Sequence, residues 1–172
     1  MGNNGGLTDE ELSRLRAELE EKVSGRRCVV VGVGSELRGD DAAGLRLAER
    51  LEGKTRALVF VGGDVPEDYA VRVADQRPDV VLLLDAAAMD LPPASVRLLR
   101  AEEIPPVPGV THRPSLEMFA AFVKLDCGAE TYLLGIQPDM EHLGVGDEMS
   151  PQVTAALDAL EPLLLDILGE AT

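Results

Sequence analysis

No apolar run in these 172 residues approaches the roughly 18 that a membrane-spanning helix needs, so no transmembrane segment is expected. The polar, acidic opening MGNNGGLTDEELSRLRAELEEK lacks the apolar stretch of a secretory signal. Cysteine is scarce. Cys28 sits in an apolar run and Cys127 in a turn-like stretch, and two such residues make no disulfide framework. Reduced thiols in a cytoplasmic protein are the expectation. Nothing in the sequence places His112 or His142 as a base beside either sulfur, so a thiol nucleophile is disfavoured. Bases are few as well: 16 Lys and Arg stand against 31 Asp and Glu, a net charge of −15. Binding to nucleic acid is thereby excluded, because neutralising phosphates takes a basic surface. Basic peptides and metal cations remain as partners. Collagen-like tracts, low-complexity segments, internal repeats and interdomain linkers are all missing.

What is present is ordinary globular composition, 45% hydrophobic and 27% charged, which excludes disorder as the dominant state. The length suits one domain that buries roughly 70% of its unfolded surface. After a Gly/Asn-rich start expected to be unstructured, Thr8 and Glu11 form a capping box. Leu12, Leu15, Leu19 and Val23 then repeat at helical spacing up to Gly25. Residues 1–25 therefore read as a tail with an appended helix, and 26–172 as a single domain. In that domain Cys28–Val33 is an unbroken β-branched strand of the kind found in parallel sheets covered on both faces. A helix with Gly44, Leu47, Ala48 and Leu51 on one face follows. Strands are expected at 57–61, 79–85, 95–100 and 131–136, the third of these as an edge. Helices are expected at 66–76 and 115–124, and after Ser150-Pro151, a strong helix start. Val153, Leu157, Leu160, Leu164 and Ile167 face the core from that last helix. The alternation predicts an α/β fold: three layers, α/β/α, around a mostly parallel twisted sheet of about five strands, with one candidate antiparallel edge strand.

In such sheets ligands sit beyond the carboxyl ends of the strands, so the polar residues there are the candidates. Gly32 and Gly34 fit the first two positions of a dinucleotide fingerprint, but Leu37 holds the third. Asp40 and Asp41 then occupy the helix start, where two anions would repel a phosphate. Asp40 is expected to cap the helix, which leaves Asp41 to serve the crevice. Asp85 ends an apolar strand, either hydrogen-bonded to loop amides or as a ligand. His112 lies in THRPS after a Pro-rich loop; a lone histidine is more often structural. Together with Asp41 and Asp85, however, it makes a mixed oxygen and nitrogen set that suits nickel or zinc. His142 reads as a surface histidine.

From about Arg27 to Leu168 these segments resemble the hydrogenase maturation endopeptidases, which clip a C-terminal extension from the large subunit of nickel–iron hydrogenases. GVGSELRGDDAAG is similar to that family's GxGNxLxxDDGxG. GGDVPEDY, LLLDAAAMD, THRPSL and LLGIQPD match further signatures in order, and GIQPD points to the branch acting on hydrogenases of the formate hydrogenlyase type. Ser35 stands where Asn is usual and Ala42 where Gly is common. The resemblance implies Asp41, Asp85 and His112 as both metal-binding and catalytic residues, and a single protease-like domain over 26–172. It also implies nickel, carried by the substrate, with zinc or cadmium as surrogates, and the large-subunit precursor as partner. The metal could serve as a recognition mark, polarise a carbonyl or activate water. Competing readings are a nickel-binding maturation chaperone without protease activity, a nucleotide-binding α/β protein, and an aminopeptidase or peptidyl-tRNA hydrolase. The last needs the basic face that the charge denies.

Overall fold

The computed structural model describes residues 6–103 and 113–172; the expectations for residues 1–5, for the Pro-rich loop and for His112 fall outside them. Five strands form one sheet in the order β2-β1-β3-β5-β4. They are β1 (Cys28–Val33), β2 (Leu58–Gly63), β3 (Val80–Ala86), β4 (Val96–Arg100) and β5 (Glu130–Ile136). All pairings are parallel except β4 with β5, so the expected antiparallel edge strand is present. The helices are α1 (Asp9–Val23), α2 (Ala43–Leu51), α3 (Ala70–Asp75), α4 (Arg113–Cys127) and α5 (Pro151–Leu168).

Strand alternation divides the core between two faces. Val30, Leu82 and Leu134 point to one face, where they meet Leu47 and Leu51 of α2 and Leu157, Leu160 and Leu164 of α5. Leu15, Leu19 and Val23 of α1 join that cluster. Val29, Val31, Val81 and Leu83 point to the other face, against Val73 of α3 and Leu116, Phe119 and Val123 of α4. Both faces of β1 and β3 are buried throughout, as the unbroken apolar runs CVVVGV and VVLLLDA require. Burying a leucine or valine side chain contributes about 1.5–3 kcal/mol, so this double layer fixes the register of the central strands.

The caps follow the sequence. Thr8 N–H donates to Glu11 Oε2 at 2.8 Å and Glu11 N–H to Thr8 Oγ1 at 3.2 Å, closing the capping box. Ser150 Oγ accepts from Val153 N–H at 3.3 Å, ahead of Pro151. The stretch expected as a helix over 66–76 divides into a 3-10 turn, Pro66–Tyr69, and the short α3. Cys127 closes α4 instead of lying in a turn.

Candidate active site

The carboxyl ends of β1, β3 and β5 form one rim of the sheet, and the loops leaving them carry the chemistry. Asp85 is the penultimate residue of β3, paired in register with Gly135 of β5 and 2% exposed. Asp41 lies in the 3-10 turn Gly39–Ala42 that leads into α2, and is 6% exposed.

Two glycines bring that turn onto the sheet. A Cβ on Gly44 would stand 2.0 Å from the Leu84 carbonyl oxygen and 2.6 Å from the Asp85 nitrogen. Only glycine lets the first turn of α2 press so closely on β3. A Cβ on Gly34 would stand 2.1 Å from the Asp41 carbonyl oxygen, so the loop after β1 also lies directly against the turn. The spacing in GDDAAG thus sets Asp41 on the same edge as Asp85.

Asp40 does not cap α2. The 3-10 turn has Arg38 at its N-cap with no side-chain bond, and the N-cap of α2 is Ala42. The Asp40 carboxylate, 0% exposed, instead accepts from Ser150 N–H at 2.7 Å, Ser150 Oγ at 2.8 Å and Asp139 N–H at 2.8 Å. A buried carboxylate is tolerated when charge-assisted hydrogen bonds replace its water. Asp40 is therefore a strut between the turn and both ends of the 139–150 loop. The Asp41 carboxylate receives no hydrogen bond from any described residue. Of two adjacent buried acids, one is consumed by the fold and the other is available.

Gln137 organises the next loop. Its Oε1 accepts from Met89 N–H at 2.6 Å and Leu91 N–H at 3.4 Å, and its own N–H donates to Ser95 O at 2.8 Å. The segment following Asp85 is thereby tied to the end of β5. On the far side of the rim, Ser115 Oγ donates to Glu67 Oε1 at 3.0 Å, which fastens the start of α4 to the Pro66–Tyr69 turn. Among the described residues no group of three or more His, Cys, Asp or Glu side chains could hold a metal ion; His112, the third expected ligand, lies outside them. Gln137, Ser115 and Glu67 are positioning residues that sequence reasoning did not single out, and Asp40 is one for which it expected a helix cap. The GIQPD match was the one signal at Gln137.

The thiols lie at the other end. Cys28 opens β1, and burial pushes its thiol up to about 12, so it stays protonated and non-nucleophilic at neutral pH. Cys127 Sγ is bonded to Val123 O at 3.2 Å. His142, expected at the surface, is half-buried with Nδ1 3.2 Å from Asp139 Oδ2.

The chain is similar to known proteins over most of its length. The HycI family model, described as hydrogenase maturation protease, matches residues 43–167, starting just after the Asp40-Asp41 pair. The hydrogenase 3 maturation protease of Escherichia coli K12 is 35% identical over 115 residues, covering 65% of this chain and 73% of that protein. The crystal structure of a NiFe hydrogenase maturation protease HycI from Thermococcus kodakarensis KOD1 superposes with a TM-score of 0.79 at 31% identity, over 88% of this chain and 98% of that one. The solution structure of an endopeptidase HycI from Escherichia coli gives a TM-score of 0.68 at 31% identity, over 78% and 86%. The chain belongs to the HycI family of hydrogenase maturation proteases and is a peptidase.

Proposed function

We propose that this peptidase removes the C-terminal extension of a nickel–iron hydrogenase large-subunit precursor once nickel has been inserted, and that Asp41, Asp85 and His112 are the residues that read the metal. The observation that carries the proposal is the division of labour at GDDAAG. Asp40 is saturated by three donors, while Asp41, also buried, is held against the end of β3 with no described residue donating to its carboxylate. Two carboxylates and an imidazole are a mixed donor set with room for further ligands, which suits nickel, and zinc or cadmium as its surrogates.

In this reading the nickel arrives as part of the substrate. Asp41 and Asp85 supply oxygen donors and His112 a nitrogen, and the scissile peptide is thereby confined to the rim. A metal so held can polarise a peptide carbonyl or lower the pKa of water. A carboxylate as buried as that of Asp41, with no lysine or arginine ion pair among the described residues, attracts a divalent ion across a low local dielectric. The reaction belongs in the cytoplasm, where Cys28 and Cys127, both unpaired, would remain reduced.

The test is a cleavage assay on the large-subunit precursor encoded in the same genome, nickel-loaded and nickel-free, read by intact mass. Loss of a C-terminal segment from the loaded form alone is the expected result. A stable complex that is never cleaved would replace the proposal with a nickel-binding chaperone.

A further inference from the structure

Two loops on the rim beside Asp41 have surfaces that the candidate site leaves unexplained. Residues 35–39 and 139–149 lie backbone to backbone. Gly146 N–H donates to Leu37 O at 2.7 Å, Arg38 Nε donates to Leu143 O at 3.2 Å, and a Cβ on Gly39 would stand 2.1 Å from His142 O. The Asp40 carboxylate bonds Asp139 and Ser150, so the longer loop is pinned at both ends to the turn that holds Asp41. On this fixed support Leu37 is 68% exposed, Met140 53% and Val145 80%. Single exposed apolar side chains are commonplace, but several on one rigid rim beside a site mark an interface. Exposed carboxylates surround them, those of Glu36, Glu141, Asp147 and Glu148, against the single arginine Arg38.

We propose that this double-loop rim is where a folded protein substrate docks, through an apolar patch on the partner flanked by lysine or arginine. The inference rests on the peptidase reading above and adds the surface that selects the partner. The apolar residues supply contact energy. The acidic ring steers a basic flank into place and repels acidic competitors. Because the rim and Asp41 share one hydrogen-bonded support, docking there sets the distance from the partner's surface to the site. A second exposed apolar stripe, Met118, Phe122 and Leu125 of α4, lies on a helix that among the described residues makes no hydrogen bond to the turn holding Asp41, and serves as a control.

The experiment measures cleavage of the nickel-loaded precursor by the full chain, by Leu37→Ser/Val145→Ser, by Glu141→Gln/Glu148→Gln, and by Leu125→Ser. In the rim double variant KM rises about tenfold while kcat stays within about twofold, the size of effect expected from losing an interface anchor. In the charge variant association slows severalfold at low salt, and the difference closes at high salt. Leu125→Ser behaves as wild type. An unchanged KM in the rim variant, or an equal rise with Leu125→Ser, overturns the inference. Complex formation with the Asp41→Asn protein, with and without the rim substitutions, is measured in parallel. If wild type cleaves nothing, the peptidase reading fails, but rim-dependent binding still upholds docking. Binding indifferent to the rim, or no binding at all, overturns it.

Discussion

The two ends of the sheet handle acidic side chains in opposite ways. At the amino ends the carboxylates are exposed and partnered. Glu130 meets Arg26 at 3.1 Å and accepts from Tyr132 Oη at 2.9 Å, and Asp79 accepts from Arg27 N–H at 2.8 Å. At the carboxyl ends Asp40 and Asp41 are buried, and among the described residues neither forms an ion pair with lysine or arginine. A cavity of about 560 Å³ lies at the amino end, lined by Arg100, Lys124, Thr131 and Tyr132 among others, far from the buried acids. Buried charge marks the carboxyl rim as the candidate site. Burying a carboxylate costs free energy that a fold recovers only with donors or cations. An acid to which no described residue donates is a candidate for another task.

The sharpest way to break this comparison is to remove the three expected ligands. Asp41→Asn, Asp85→Asn and His112→Ala should each reduce processing of the nickel-loaded precursor by more than about 100-fold, the scale of losing a group that stabilises charge in the reaction. For Asp41→Asn the thermal midpoint should hardly move, since no described hydrogen bond is lost. Mass spectrometry and calorimetry on the same samples check both halves. Full activity in any one variant removes that residue from the essential set.

Its neighbour should show the converse. In Asp40→Asn an amide N–H₂ replaces one of the two oxygens that share three donors, so at least one backbone N–H is left buried and unsatisfied. Leaving a buried donor unsatisfied costs about 1–3 kcal/mol. The chemical denaturation midpoint should fall accordingly, and activity should fall only as far as the fold loosens. A variant as stable as wild type but inactive would instead make Asp40 part of the chemistry.

Gly44→Ala sharpens the geometry. A methyl group 2.0 Å from a backbone oxygen cannot be relieved by a side-chain rotation, so α2 must lift away from β3. Overpacking of this kind costs about 1–3 kcal/mol, and the lift would separate Asp41 from Asp85. Cadmium affinity measured by calorimetry should weaken more than the denaturation midpoint implies. If stability falls but affinity is unchanged, the glycine serves packing alone.

The comparison also shows what the sequence could disclose. Strands β1 and β3 were legible because both their faces are buried, which leaves runs with no polar interruption. The β4 edge was legible from its partial alternation, and the start of α5 from Ser150-Pro151, since caps are local chemistry. Asp41 and Asp85 stood out because strand ends are where such sheets bind ligands. The task assigned to Asp40 was wrong for a definite reason. A local reading pairs an acid at a helix start with its own helix, whereas its partners are 99 and 110 residues away. Gln137 was quotable as part of a signature, yet its hold on Met89, 48 residues back, exists only once β3 and β5 are paired. The short α3 was overrun for a different reason. Pro66 suits a helix start, but the turn it opens packs as a 3-10 segment.

The smallest effect belongs to the amino end. The Tyr132 hydroxyl, followed by Arg26, holds the Glu130 carboxyl below its usual value. A lowered folded-state pKa contributes stability above the unfolded value, near pH 4.3, and that contribution disappears as pH falls through the folded value. Glu130 is exposed, so solvent screening limits the contribution to less than about 1 kcal/mol. Tyr132→Phe should therefore be slightly less stable than wild type at pH 7, with the gap closing below pH 4. Urea midpoints at the two pH values measure this. A gap that stays constant down to pH 3 would trace the loss to the hydroxyl itself and not to the Glu130 charge, and would leave the amino end with no electrostatic contribution to set against the buried acids at the other.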